Sequence, residues 1–373
     1  MTKNPLARLP DLGQSVYVDE IRRGWFDDGT LSAFIDRDAI RGVTSNPAIF
    51  QKSIAESGDY EDQISALAKG GLDVPGLYEA LVVDDIQRAA DLFRPQWDAS
   101  GGRFGWVSLE VSPMLAHDEE GTVAEAEHLF ARVARPNVFI KVPGTEAGVS
   151  ATRRLLTRGI PVNVTLLFGL DRYRAVHEAY LEAMEARVAN GERPDVASVA
   201  SFFLSRIDVA IDPLLDDVAA RGGAFAARAA RLKGRIAVDN AKLAYADWRA
   251  TVTSDRWHRL VEAGALPQRL LWASTGTKNP EDSPTKYVEP LIGQDTVATL
   301  PVPTLDAYRE QGAPAARIGE DLDGARARIA ELAELGVDLD VVTARLEDEG
   351  VAKFVDPFES LMETLEEAVR RHA

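Results

Sequence analysis

Eight short apolar runs recur along the chain, each followed by a longer stretch whose apolar residues fall mostly at helical spacing. The runs are SVYVD (15–19), RGVTS (41–45), GWVSLEV (105–111), NVFIKV (137–142), IPVNVTLLF (160–168), VASVASFF (196–203), RLLWAS (269–274) and DTVATL (295–300). They are short and rich in β-branched or aromatic residues, as strands buried on both faces of a parallel sheet are. Helical signals lie between them. Asp171 predicts an N-cap, Tyr173, Val176, Tyr180, Met184 and Val188 an apolar stripe, and Gly191 a stop. From Thr122, the residues Val123, Leu129, Phe130 and Val133 keep helical spacing up to Pro136. Strand-then-helix alternation eight times over predicts an α/β fold, a (β/α)8 TIM-type barrel. A doubly wound open sheet shares this alternation, which by itself does not show closure.

The connections are uneven. Residues 51–104 exceed one ordinary crossover, so an extended connection between the second and third strands is expected, holding several short helices such as one around Tyr78 to Phe93. The segment 303–373 reads as additional C-terminal helices, acidic, with Ile329, Leu332 and Leu335 at helical spacing. It is expected to pack outside the barrel or across one end. Pro213, inside the pattern after the sixth run, predicts a kink. No sequence repeat, low-complexity segment or Ser/Gly-rich linker interrupts residues 1–373, which are expected to form one domain: barrel strands over about 15–300 and a helical extension over about 303–373.

Polar residues break the apolar runs with a period of two. Alternate residues of a barrel strand face the helices and the interior. Val107, Leu109 and Val111 oppose Ser108 and Glu110; Val138, Ile140 and Val142 oppose Phe139 and Lys141. Val162, Val164 and Leu166 oppose Asn163 and Thr165, and Val16 and Val18 alternate with Ser15, Tyr17 and Asp19. Ser201 and Ser274 lie near the ends of their runs. Asp19, Glu110, Lys141, Asn163, Thr165, Ser201 and Ser274 are therefore expected to converge on the C-terminal rim, where barrels carry their catalytic groups. An isolated Lys–Glu pair reads equally well as a structural salt bridge. Seven polar residues at matching ends of six strands do not, because each carries a desolvation cost. Burial disfavours an ammonium, and a neutral amine attacks carbonyls to form an imine, an electron sink for carbon–carbon cleavage. Such chemistry needs proton carriers, and Asp19 and Glu110 are the carboxylates at hand.

Composition narrows the choice. A chain of 373 residues, 46% hydrophobic, has room for one large barrel. Its net charge is −17, from 42 Lys plus Arg against 59 Asp plus Glu, which disfavours nucleic-acid and membrane partners. An anionic substrate would need cations gathered locally. Cysteine is absent, so thiolate metal sites and disulfides are excluded and a reducing, cytoplasmic setting is expected. No apolar run is long enough to span a bilayer. His117, His128, His177, His258 and His372 lack metal-ligand spacing, most reading as surface residues, and GTKNPE (276–281) is not a nucleotide-binding glycine loop. Neither a metal nor another cofactor is expected.

The blocks YVDEIRRG (17–24), GVTSNPAIF (42–50), VSLEV (107–111), NVFIKVPGTEAG (137–148), VNVTLLF (162–168), SFFLSRID (201–208) and LLWASTGTKNP (270–280) occur in an order that resembles the transaldolase family, its longer bacterial branch above all. The resemblance implies a (β/α)8 barrel that transfers dihydroxyacetone from a ketose phosphate to an aldose phosphate. By the same resemblance, Lys141 matches the Schiff-base lysine and Asp19 the carboxylate that takes and returns the C4-hydroxyl proton. Glu110 and Thr165 match the pair holding a water for carbinolamine dehydration. Asn46, Asn163 and Ser201 match groups that bond the substrate hydroxyls, and Phe203 an aromatic residue near the lysine. Arg206 matches a phosphate-binding arginine and Ser274 another phosphate-side residue. Many members carry an arginine shortly after the position of Ser274; here Lys278 is the nearby cation, a point charge instead of a bidentate fork. Asn46 reads otherwise as a turn residue before Pro47, and Lys278 as a solvated loop lysine. The expected partners are small sugar phosphates, with the chain a monomer or homodimer. Fructose-6-phosphate and deoxyribose-phosphate aldolases share the imine chemistry, and a barrel that binds sugar phosphates without catalysis is the rival from another class.

Overall fold

The computed structural model describes residues 4–372. Its strands are β1 (Gln14–Val18), β2 (Gly42–Val43), β3 (Trp106–Glu110), β4 (Val138–Pro143), β5 (Val162–Leu167), β6 (Ser198–Phe203), β7 (Arg269–Ala273) and β8 (Thr296–Leu300). Each pairs in parallel with the next, and β1 also pairs with β8, Gln14 opposite Thr296 and Val18 opposite Leu300. The barrel is closed, which removes the open sheet from consideration. The helix-facing residues Val107, Leu109, Val138, Ile140, Val142, Val162 and Val164 are buried, as the alternation requires. At β2 only Gly42 and Val43 pair, a shorter strand than the run 41–45 predicts.

The helices are α1 (Gly24–Asp27), α2 (Thr30–Asp38), α3 (Pro47–Glu56), α4 (Glu61–Lys69), α5 (Val74–Ala99), α6 (Glu119–Val133), α7 (Glu146–Thr157), α8 (Leu170–Ala189), α9 (Ser205–Ala219), α10 (Gly223–Leu232), α11 (Ile236–Val252), α12 (Asp255–Glu262), α13 (Val302–Gln311), α14 (Leu322–Glu334) and α15 (Leu339–His372). The long second connection is not only short helices: α5 alone runs 26 residues and absorbs Pro95 close to its end. Helix α8 starts two residues earlier than Asp171 suggests. Gly169 is the cap, and Asp171 sits in the first turn, pairing with Arg174 at 2.7 Å. Tyr173, Val176, Tyr180 and Met184 are buried as the stripe predicts, but Val188, in the last turn, is 42% exposed. His177 is also buried, bonded through Nδ1 to Gln268 at 3.0 Å, and is no surface residue. Helix α9 continues through Pro213.

Two features aim the chain at the C-terminal rim. Thr145 caps α7 by accepting from the Gly148 amide at 3.1 Å, and a Cβ on Gly148 would lie 1.8 Å from the Pro143 carbonyl oxygen. Only glycine lets α7 start so close behind β4. In β5 the register shifts between Val164 and Leu167, with Leu166 at φ 62°. This bulge ends the simple alternation that the sequence pattern extends to Leu166. The 34-residue α15 packs against α3, α4, α5, α9 and β5, so this part of the helical extension lies across one end of the barrel, whereas α14 packs against α11. The outermost positions of the expected domain span, 1–3 and 373, lie outside the described residues.

Candidate active site

The register of β3, β4 and β5 sets Glu110 beside Lys141, and Lys141 beside Asn163. All three are buried and face the barrel interior. The Lys141 Nζ donates to Glu110 Oε2 at 2.8 Å and to the Ser45 carbonyl at 3.2 Å. Ser45 is itself fixed, its hydroxyl donating to the Ser108 carbonyl at 2.7 Å. Lys141 does not snorkel; it is 5% exposed. The pair carries two buried charges, and burial, opposed by Lys141, raises the Glu110 pKa above the ordinary carboxylate range. Glu110 Oε1 and Thr165 Oγ1 are both buried without a protein hydrogen-bond partner.

Asp19 follows directly on β1, at the same rim. Thr44 Oγ1 donates to Asp19 Oδ1 at 2.7 Å, and the Thr299 hydroxyl, 2.6 Å from Thr44 Oγ1, then donates to Thr44. Burial raises the Asp19 pKa, against the Thr44 hydrogen bond and the charge of Lys141. Asp19 and Asn46 line an open groove of about 630 Å³ that continues past Trp25, Ile49 and Lys52. Asn46 takes its turn reading: Oδ1 accepts from the Ile49 amide at 2.9 Å as the cap of α3, with Pro47 at the first position, and the residue lines the groove.

Asn163 joins the neighbouring strands. It accepts from Ser201 Oγ at 2.7 Å and donates to Ser108 Oγ at 3.1 Å, a polar lane crossing the barrel below Lys141. Phe203 is buried against Phe168, ring centroids 5.2 Å apart. Arg206 lies in the first turn of α9, its guanidinium 5.4 Å from the Phe203 ring. Its Nη1 is buried and unpartnered, and burial lowers its pKa. Cation and helix N-terminus together favour an anion here. Ser274, at φ 54°, bonds Ser205 through their hydroxyls at 2.8 Å beside that turn. Lys278 is exposed on the following loop, close enough to lower the Asp19 pKa. The structure thus gathers the strand-end residues and Asn46 at one rim, with Lys278 outermost.

Several residues of the site were not singled out from sequence. Thr44 and Ser45 lie in the run 41–45 and carry the same signal as Asp19, a polar residue at a strand end. Thr299, near the end of the last run, carries it too. Phe354, whose ring lies 5.3 Å from Lys141 Nζ, and Glu349, which acts on Arg206, belong to α15 and carry no local signal. Among the described residues no group of three or more His, Cys, Asp or Glu side chains could hold a metal.

Comparison with known proteins agrees with this geometry. Residues 16–365 match the family model described as Transaldolase/Fructose-6-phosphate aldolase. A protein named Transaldolase from Trichodesmium erythraeum is 42% identical over 377 residues, covering 100% of this chain and 99% of its own. Another Transaldolase, from Parafrankia sp., is 45% identical over 365 residues, 97% of each chain. A third, from Thiobacillus denitrificans, is 46% identical over 352 residues, 94% of this chain and 96% of its own. A buried lysine paired with a carboxylate at a barrel rim, and sequence identity across nearly the whole length, lead to one assignment: the chain belongs to the transaldolase/fructose-6-phosphate aldolase family.

Proposed function

We propose that this chain is a transaldolase, moving a dihydroxyacetone unit from fructose 6-phosphate or sedoheptulose 7-phosphate to erythrose 4-phosphate or glyceraldehyde 3-phosphate. The observation that carries the reading is Lys141, buried and held at 2.8 Å by Glu110, with Asp19 on the same rim. Lys141 gives its proton to Glu110 and attacks the ketose C2. The carbinolamine loses water through a proton relay of Glu110, Thr165 and one water, leaving an iminium. Asp19 takes the C4-hydroxyl proton, the C3–C4 bond breaks, and the iminium receives its electrons as an enamine. The aldose phosphate departs. A second aldose enters, the enamine carbon attacks its aldehyde, Asp19 returns the proton, and hydrolysis frees Lys141.

Binding follows from the remaining groups. Asn46, Asn163 and Ser201 bond the substrate hydroxyls, and Phe203 closes the apolar side. Arg206, with Ser274 beside it and Lys278 farther out, supplies the local cations that a chain of charge −17 needs for a phosphate. We place the enzyme in the cytoplasm, as a monomer or homodimer acting on diffusing sugar phosphates; among the described residues, no helix is long and apolar enough to cross a membrane.

Borohydride trapping with fructose 6-phosphate tests this reading. Peptide mapping should find the reduced dihydroxyacetone adduct on Lys141, and Lys141→Met should neither trap nor turn over. An adduct on another lysine, or full turnover by Lys141→Met, would sink the mechanism. With erythrose 4-phosphate added, the product should be sedoheptulose 7-phosphate; free dihydroxyacetone alone would mark a simple aldolase.

A further inference from the structure

Helix α15 reaches the lysine from outside the barrel's own strands and loops. Its Phe354 is 4% exposed and lies with its ring 5.3 Å from Lys141 Nζ. Four residues earlier, Gly350 lies against the bulge of β5: a Cβ added there would sit 3.0 Å from Leu166 Cδ2 and 3.6 Å from the Phe168 ring. One further turn away, Glu347 holds Arg172 of α8 at 2.9 Å, fixing the helix laterally. The glycine permits close approach, the ion pair sets the position, and the aromatic ring is thereby delivered over the amine.

A ring at that place has chemical consequences for an enamine. Once the aldose phosphate has left, the Lys141-bound fragment has two fates. It can attack a second aldehyde, forming a carbon–carbon bond. Alternatively its carbon takes a proton from solvent, water adds to the iminium carbon, the C–N bond breaks, and free dihydroxyacetone leaves with the lysine amine restored. The dehydration step needs only one held water, for which Glu110 Oε1 and Thr165 Oγ1 have free positions. Bulk water at the enamine serves only the second fate, and an apolar cover excludes it.

Resting on the reaction proposed above, we propose that Phe354 is a specificity-determining residue that keeps solvent from the Lys141 enamine, so that the three-carbon unit is transferred and not released. The position of α15, set by Gly350, is part of the same device.

The test measures free dihydroxyacetone released from fructose 6-phosphate against sedoheptulose 7-phosphate formed with erythrose 4-phosphate. Phe354→Ala should raise the ratio of release to transfer at least about tenfold, because water then reaches the enamine. Phe354→Leu keeps an apolar cover and should restore most of the wild-type ratio. Gly350→Val leaves Phe354 intact but pushes α15 off Leu166, and should raise the ratio as Phe354→Ala does. Should Phe354→Ala not fold, Gly350→Val decides alone. A lowered Tm with an unchanged ratio would mean that the ring only packs, and would overturn the inference. The underlying reaction is checked separately: failure of the wild type to trap at Lys141 removes both readings, whereas trapping with an unchanged ratio in the variants removes only this one.

Discussion

At the scale of single residues, the two carboxyls near Lys141, buried Glu110 and half-buried Asp19, should separate by their effects. Glu110→Gln removes the proton acceptor for imine formation and should slow that step by roughly 10²–10⁴-fold. Asp19→Asn should form the imine and stall before cleavage, so that the adduct trapped by rapid quench carries all six carbons. The reverse pattern would exchange their roles. Asp19→Asn should also change stability. Burial raises the Asp19 pKa, so the folded state binds this proton more readily than the unfolded chain. Its stabilising contribution is therefore present below the unfolded pKa and is lost as pH rises through the folded value. At neutral pH the partly buried charge is a cost, and Asp19→Asn should raise Tm. For the same reason the acid limb of single-turnover cleavage should lie above about pH 4, the ordinary carboxylate range, because Asp19 loses its base form there. The period-two pattern made Glu110, Lys141, Asn163 and Thr165 legible in the sequence, since an inward polar residue interrupts an apolar run. Phe354 was not legible: an apolar residue in an amphipathic helix looks alike whether it meets a leucine or a reactive amine.

Among the elements, α3 is capped by a residue that also lines the groove. Asn46 caps the helix through Oδ1. Asn46→Ala should cost about 1 kcal/mol in urea unfolding and also raise KM for fructose 6-phosphate. Asn46→Asp keeps a capping oxygen but has no amide donor, so stability should hold while KM still rises. If KM is unchanged in Asn46→Asp, the residue is a cap and nothing more. Strand positions were well marked because apolar runs are short and bounded. Helix starts were less so: Asp171 attracts the cap reading, yet Gly169 lies two residues earlier, and an acidic residue suits the first turn as well as the cap. The β5 bulge was invisible, since nothing in VNVTLLF marks Leu166 for positive φ.

Across the whole molecule, closure brings together segments far apart in sequence. Asp38, at the end of α2, has a fully buried carboxylate that accepts from Asn4 at 2.8 Å and from Arg309 of α13 at 2.8 and 2.9 Å, with Arg37 alongside. Burial pushes its pKa up, but these hydrogen bonds outweigh it and hold the carboxyl below its ordinary range. Its contribution is therefore present above the unfolded pKa and disappears as pH falls through the folded value. Asp38→Asn should cost roughly 3 kcal/mol at pH 7, with the gap to wild type narrowing under acid; a constant gap would mean that charge plays no part. This tie was not legible in the sequence, because Arg309 lies 271 residues from Asp38 and both look like surface charges. Barrel closure itself also governs how the molecule is made. A ribosome delivers β1 early, yet its second neighbour, β8, only after every other strand. Until Thr296–Leu300 emerges, the nascent sheet has an open edge, a template on which a neighbouring nascent chain could add a strand. Lys141 emerges midway, but Phe354 comes later still. The guarded amine is thus a product of complete synthesis, and no half-made barrel can offer it to a passing carbonyl under the same protection.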